Sequence, residues 1–198
     1  DRQTDRQTDR RVRWVTLGEI CRPTNNINWK ANCKSYRYID LTSVSRDTHA
    51  IIETTTINAD NAPSRAQKLV ETEDVIFATT RPTLQRYTLI NESYDGEVAS
   101  TGYCVLRADK VNVLPKWIYY CISTTRFNDY IENNQEGSAY PAISDNKVKA
   151  YKTPLPSLEE QNRIVQILDR FDALVNDLKT GLPAEIALRR KQYEHYRD

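Results

Sequence analysis

An α+β globular domain running into a coiled-coil-type helical extension is the fold class this sequence predicts, and three observations predict it. Short stretches rich in β-branched and aromatic residues recur up to Ala108, a proline-initiated amphipathic stretch follows at Pro115–Asn134, and the segment from Pro154 to Asp198 spells a helix start, an apolar seam and a break. With 198 residues and 39% hydrophobic content the chain can bury one good core, so one domain plus an extension is the natural count.

Each element follows from its own residues. The chain opens with DRQTDRQTDRR, a tandem four-residue repeat without an apolar side chain, which therefore cannot join a core. Like charges recur every fourth residue along it, although Arg2 with Asp5 and Arg6 with Asp9 offset part of the repulsion. Residues 1–13 thus read as an arm, either disordered or the end of a spacer. Tyr36–Val44 (YRYIDLTSV), Asp74–Thr80 (DVIFATT) and Glu97–Ala108 (EVASTGYCVLRA) read as strands. Pro115 suits a first helical turn, and Ile118, Ile122 and Thr125 share one side, so Pro115–Asn134 reads as the main helix of the domain.

Ser157 precedes Glu160 by three residues, the spacing of a capping box that opens a helix. From there Ile164, Leu168, Phe171, Val175 and Leu178 follow at spacings of four, three, four and three, a narrow apolar stripe of the kind that pairs helices. The same stripe also suits a surface helix packed on its own domain. Gly181-Leu182-Pro183 ends the pattern, and Pro183 opens a second helix carrying Arg189, Arg190, Lys191 and Arg197 among Ile186, Tyr193 and Tyr196.

Charge is balanced, 28 basic against 27 acidic residues for a net +1, so its distribution carries the information. Arg22, Lys30, Lys34 and Arg37 form one acid-free stretch and Lys147, Lys149 and Lys152 another, while acids gather at Glu71, Glu73 and Asp74. Such stripes suit a phosphate backbone and suit an ordinary solvated surface equally well. No apolar run approaches membrane-spanning length and no signal peptide opens the chain, so a soluble cytoplasmic protein without membrane contact is expected. Cys21, Cys33, Cys104 and Cys121 are unevenly spaced with no CxxC pair, and read as buried free thiols.

Catalytic patterns are missing. Five glycines leave no GxGxxG and no phosphate-binding loop, and His49 and His195 lack partners at metal or nucleophile spacing. Asp145-Asn146-Lys147 has the acid-x-Lys order of a nuclease element, but with no matching acidic motif upstream it reads as a chance match. The residues thus offer no catalytic set and no metal-ligand spacing.

The string PLPSLEEQNRIVQILDRFDALV, followed by GLPAEIALRRKQYEHYRD, resembles the conserved helical region of the DNA-specificity subunit of type I restriction-modification enzymes. GSAYPAISDNKVKAYKTPLP resembles the end of a target-recognition domain in that family, and WVTLGEIC and YIDLTSV resemble its beginning. The resemblance runs from about Trp14 to Asp198 and is loosest from about Arg46 to Glu136. It implies a target-recognition domain over 14–156, with a twisted mixed sheet and helices, and a helical spacer or dimerisation region over 157–198, broken at 181–183.

The resemblance also implies a function. Such a subunit supplies the DNA sequence of a split target, while a methyltransferase (modification) subunit binds S-adenosylmethionine and a restriction subunit uses ATP and Mg, so no cofactor is expected on this chain. Double-stranded DNA and both subunits are the implied partners. A half-length chain, whether natural half-subunit or fragment, imitates the two-domain subunit by pairing with a second copy of itself. Thr79–Arg86 resembles a loop of family recognition domains, which makes Thr80, Arg81, Gln85 and Arg86 the first candidates for DNA contact. Asn26, Asn28 and Lys30, with Lys34 beyond them, come second, and Ser138 and Tyr140 third. An ordinary polar loop is the competing reading for each. Two other classes stay open: a detached recognition domain of a larger methyltransferase or restriction enzyme, and a helical adaptor that reads no DNA.

Overall fold

Alternating β-branched and aromatic residues form short strands here because each strand packs a face on a shared core. In the computed structural model, which describes residues 12–31 and 33–175, ten strands and three short α-helices follow one another ahead of a last helix. The repeat arm, Leu178, the 181–183 break and the second C-terminal helix lie outside the described residues. In chain order the elements are β1 (Arg13–Thr16), β2 (Cys21–Arg22), β3 (Tyr36–Ile39), β4 (Thr55–Ile57), β5 (Ala66–Leu69), β6 (Val75–Ala78), β7 (Tyr87–Leu89), β8 (Val98–Ser100) and β9 (Tyr103–Ala108). Then come α1 (Pro115–Ile122), α2 (Thr125–Asn134), α3 (Asp145–Lys149) and β10 (Lys152–Leu155).

The strands make two four-stranded sheets and a ribbon, a correction to the single mixed sheet expected. One sheet runs β4-β3-β8-β5, with β3 parallel to β8, the other runs β2-β9-β6-β7 and is antiparallel throughout, and β1 pairs with β10. The physical reason lies at Thr101-Gly102, where the expected strand Glu97–Ala108 divides and the chain leaves one sheet for the other. A side chain on Gly102 would stand 3.0 Å from Leu41, so the crossing passes close against that residue. Ile39 and Ala99 from one sheet and Ile76, Ala78, Tyr103 and Val105 from the other fill the space between them. Ile27, Tyr38, Ile57 and Val98 form a second cluster on the outer face of the mixed sheet.

Helices cover the far side of the antiparallel sheet, which explains why every residue of β6 is buried. Phe77 meets Phe127 of α2 edge-on at 5.1 Å, and Phe127 meets Tyr151 at 4.9 Å. Burying a phenylalanine of this kind contributes roughly 2–3 kcal/mol. The single helix expected at Pro115–Asn134 is two: Thr124 caps α2, its hydroxyl accepting from the Phe127 amide at 3.2 Å, and breaks the run. Thr125 is consequently exposed, and Phe127 and Ile131 take the buried side instead.

The four thiols are free, but Cys33 is exposed, because it sits in the loop before β3 and not in a strand. Burial pushes the thiol of Cys21 up to about 12 and that of Cys121 up to about 11.

Ser157 starts the last helix as its spacing predicts, accepting from the Glu160 amide at 3.3 Å, and helix occupies 158–175. Gln161 is fully buried and ties the first turn to the globular unit: it accepts from the Leu114 amide at 2.9 Å and donates to Asn112 and Pro156 carbonyls at 3.1 and 2.9 Å. The compact units divide between Gln161 and Asn162. In the second unit, Ile164 and Leu168 are half-buried while Ile167, Phe171, Leu174 and Val175 are exposed. Among the described residues no helix is long and apolar enough to cross a membrane.

Candidate nucleic-acid interface

Strand register decides which loops meet. β6 closes at Ala78 opposite Tyr103, the first residue of β9, while β8 closes at Ser100 opposite Ala66, the first of β5. The loops at that end of the sheets therefore gather, and backbone hydrogen bonds lock them together. Thr79 donates to Gly102 O at 2.7 Å, Ile143 donates to Thr79 O at 2.9 Å, Arg81 donates to Pro141 O at 2.7 Å and Thr101 donates to Arg65 O at 2.8 Å. Thr80 bridges Ala142, and the Tyr103 hydroxyl, kept protonated by burial, donates to Asp40 O at 3.0 Å.

The Thr79–Arg86 loop has an unusual backbone. Pro82–Leu84 form one 3-10 turn, and the residues on either side, Arg81 (φ 49°, ψ 55°) and Gln85 (φ 52°, ψ 43°), are both left-handed. That conformation is costly for non-glycine residues, and it concentrates at functional loops. Pro82 is buried and anchors the turn, leaving the Arg81 side chain exposed beside Tyr140, whose ring lies 5.5 Å from the guanidinium. Tyr140 is 74% exposed, and Ser138 next to it is exposed as well.

The other candidates fare differently. Gln85 is half-buried and donates its amide to Asn128 at 2.5 Å, which fastens the loop to α2. Arg86 is half-buried and donates its guanidinium to the Val44 carbonyl. Lys30 is exposed in a 3-10 turn next to Trp29, whose indole donates to Ala66 O at 2.8 Å, so the fold brings it to the same end of β5. Asn28 accepts from the Lys30 amide at 3.2 Å and shapes that turn, and Asn26 pairs its backbone with Lys68. Lys34 is not brought into the group: it precedes β3 at the end where Arg37 meets Glu97. Sequence reading missed Arg46 and Arg65, both exposed on loops of the same cluster. The bonds that bring their loops to this end, Thr101 to Arg65 O and Arg86 to Val44 O, are long-range and leave no local signal.

The acidic group of Glu71, Glu73 and Asp74 lies at the opposite end, while Glu136 and Asp145 near the loops are paired with Lys147 and Lys68. The Asp74 carboxylate, 1% exposed, holds the Arg107 guanidinium through contacts of 2.9 and 2.7 Å, and Glu71 meets the same group at 2.7 Å. The hydrogen bond to Asp74 raises Arg107 above its ordinary pKa against the effect of burial. Lys110 pairs with Glu73 at 2.5 Å, Arg22 with Asp109 at 3.6 Å and Arg37 with Glu97 at 2.9 Å. Two of the four cations in the Arg22–Arg37 stretch are thereby neutralised by distant acids. In the second basic cluster Lys147 is held by Glu136 at 2.6 Å, a contact that lowers the Glu136 pKa. Among the described residues no three metal-ligating side chains come together.

The sequence profile of the family described as the type I restriction modification DNA specificity domain matches residues 12–188. The specificity subunit of the type I restriction enzyme EcoR124I/EcoR124II from Escherichia coli is 44% identical over 87 residues, which is 44% of this chain and 22% of that protein. A crystal structure of the HsdS subunit from Thermoanaerobacter tengcongensis superposes with a TM-score of 0.78 at 36% identity, covering 91% of this chain and 46% of that one. A chain from a structure titled for complex assembly and conformational transition of the type I R-M system superposes at 0.77 and 36%, covering 88% and 45%. The chain thus spans less than half of these structural relatives and about a fifth of the curated one.

Proposed function

Because the chain belongs to the type I restriction-modification DNA specificity family, we propose that its globular unit reads one part of a split DNA target and hands that sequence to catalytic partners. The observation that carries this reading is the polarity of the domain. Loops bearing Arg46, Arg65, Arg81 and Lys30 gather at one end, while Glu71, Glu73, Asp74 and Asp109 are gathered and largely paired at the other. A duplex approaching the first end meets cations that are not already committed to carboxylates, and phosphate contacts there would fix register while side chains address base edges.

The chain itself works without catalysis. The methyltransferase subunit would bring S-adenosylmethionine and the restriction subunit ATP and Mg, and the specificity chain would contribute position alone. The stripe on the 158–175 helix, from Ile164 to Val175, would dock a partner helix, either from the methyltransferase subunit or from a second copy of this chain. In a cell these components meet in the cytoplasm.

Reconstitution tests the reading. The chain, combined with its cognate methyltransferase subunit, is expected to direct adenine methylation to one recurring genomic motif. Methylation no greater and no more selective than with the methyltransferase alone would sink it.

A further inference from the structure

We infer that Arg81 and Tyr140 form a single reading element, in which the Tyr140 ring holds the Arg81 guanidinium so that its fork meets N7 and O6 of one guanine in the major groove. This rests on the DNA-reading function proposed above and deepens it.

Arg81 is the uncommitted guanidinium of its loop. Arg86 is engaged by the Val44 carbonyl, and Arg22, Arg37 and Arg107 all have carboxylate partners, whereas Arg81 has none among the described residues. Its contact is instead the Tyr140 face, 5.5 Å from the guanidinium carbon. The two backbones are fixed to each other before any ligand arrives, by the Arg81 amide on Pro141 O at 2.7 Å and by the Thr80–Ala142 bridge.

Both loops adopt a backbone that most residues avoid to reach this arrangement. Arg81 is left-handed without being glycine. On the other side Gly137 has φ +89°, and a side chain there would stand 2.9 Å from the Tyr140 carbonyl oxygen, so the turn that carries Tyr140 closes only around glycine. A ring 74% exposed gains little by itself from such a placement. Held over it, an arginine has already lost part of its rotamer freedom, and its planar fork matches guanine in a way that a lysine does not. A phosphate contact would use the charge but would carry no sequence information.

Selection of duplexes from a randomised pool by the full chain, immobilised, tests the inference. Wild type is expected to enrich a motif with one invariant guanine that Arg81→Lys no longer prefers, a loss of roughly 5- to 150-fold in discrimination at that position alone. Tyr140→Leu should relax the same position, and Tyr140→Phe, which keeps the ring, should not. Placing 7-deazaguanine at that position, which removes the N7 acceptor and keeps O6, should weaken wild-type binding by part of the loss that changing the base gives, with no substitution in the protein. An unchanged motif with Arg81→Lys, or a uniform loss across all sequences, overturns the pairing while leaving the DNA reader standing. A wild-type chain that enriches no motif overturns the DNA reader and the pairing with it.

Discussion

Asp74 shows how a single buried side chain commits a cation at one end of the domain. Its carboxylate is buried at the turn into β6, and both of its oxygens accept from Arg107, which arrives from β9. Removing one partner of a buried pair leaves the other charge desolvated and unmatched. Asp74→Ala should therefore cost about 3–5 kcal/mol, the lower end being favoured because Glu71 also holds the guanidinium. Urea unfolding measures it, and a loss under about 1 kcal/mol would show that the pair is no more than a surface contact. In the sequence, Glu71, Glu73 and Asp74 stand out as an acidic group, but nothing marks Arg107 as their partner. The two ends of that bond are separated by a whole hairpin, so no local pattern joins them. Arg81 differs: hydroxyls, an amide and a proline beside it announce an exposed turn, although its left-handed φ depends on Pro141 and has no sequence signal.

Elements are legible where periodicity lasts and illegible where it is interrupted by a single event. The β6 segment is readable because four consecutive apolar residues bounded by polar ones leave little else to form. The division between β8 and β9 is not readable, since Thr101-Gly102 interrupts a run whose residues on both sides favour strands, and only the closeness of Leu41 shows why glycine stands there. The break between α1 and α2 is a similar case, in which the apolar period continues past Ser123 while Thr124 competes for the backbone. That cap has consequences beyond its own turn. It starts the helix that brings Phe127 onto Phe77 and Asn128 onto Gln85, so it supports the core and the candidate reading loop together. Thr124→Ala should lower stability by about 1 kcal/mol, read as a lower Tm without loss of cooperativity. Absence of any shift would mean that packing alone positions α2.

At the scale of the whole molecule, the described residues of the second unit present a continuous apolar face in solvent. Ile167, Phe171, Leu174 and Val175 are 41, 59, 57 and 45% exposed, and they recur at the three- and four-residue steps that align them along one side of a helix. An isolated helix gains nothing from such a face, whereas a second helix laid on it removes the whole stripe from water at once. The completing helix is proposed to come from a partner, either a second copy of this chain or the methyltransferase subunit. Phe171→Asp separates this use of the face from a structural one. The side chain is already more than half in solvent, so the substitution should leave the unfolding midpoint of the free chain unchanged within about 0.5 kcal/mol. In an assembled helix pair the same carboxylate would be buried without a partner, a strongly unfavourable state. Sedimentation of the chain, alone and with its methyltransferase subunit, should show the variant failing to assemble where wild type does. A variant that assembles as tightly as wild type would place the partner elsewhere and leave the apolar stripe unexplained.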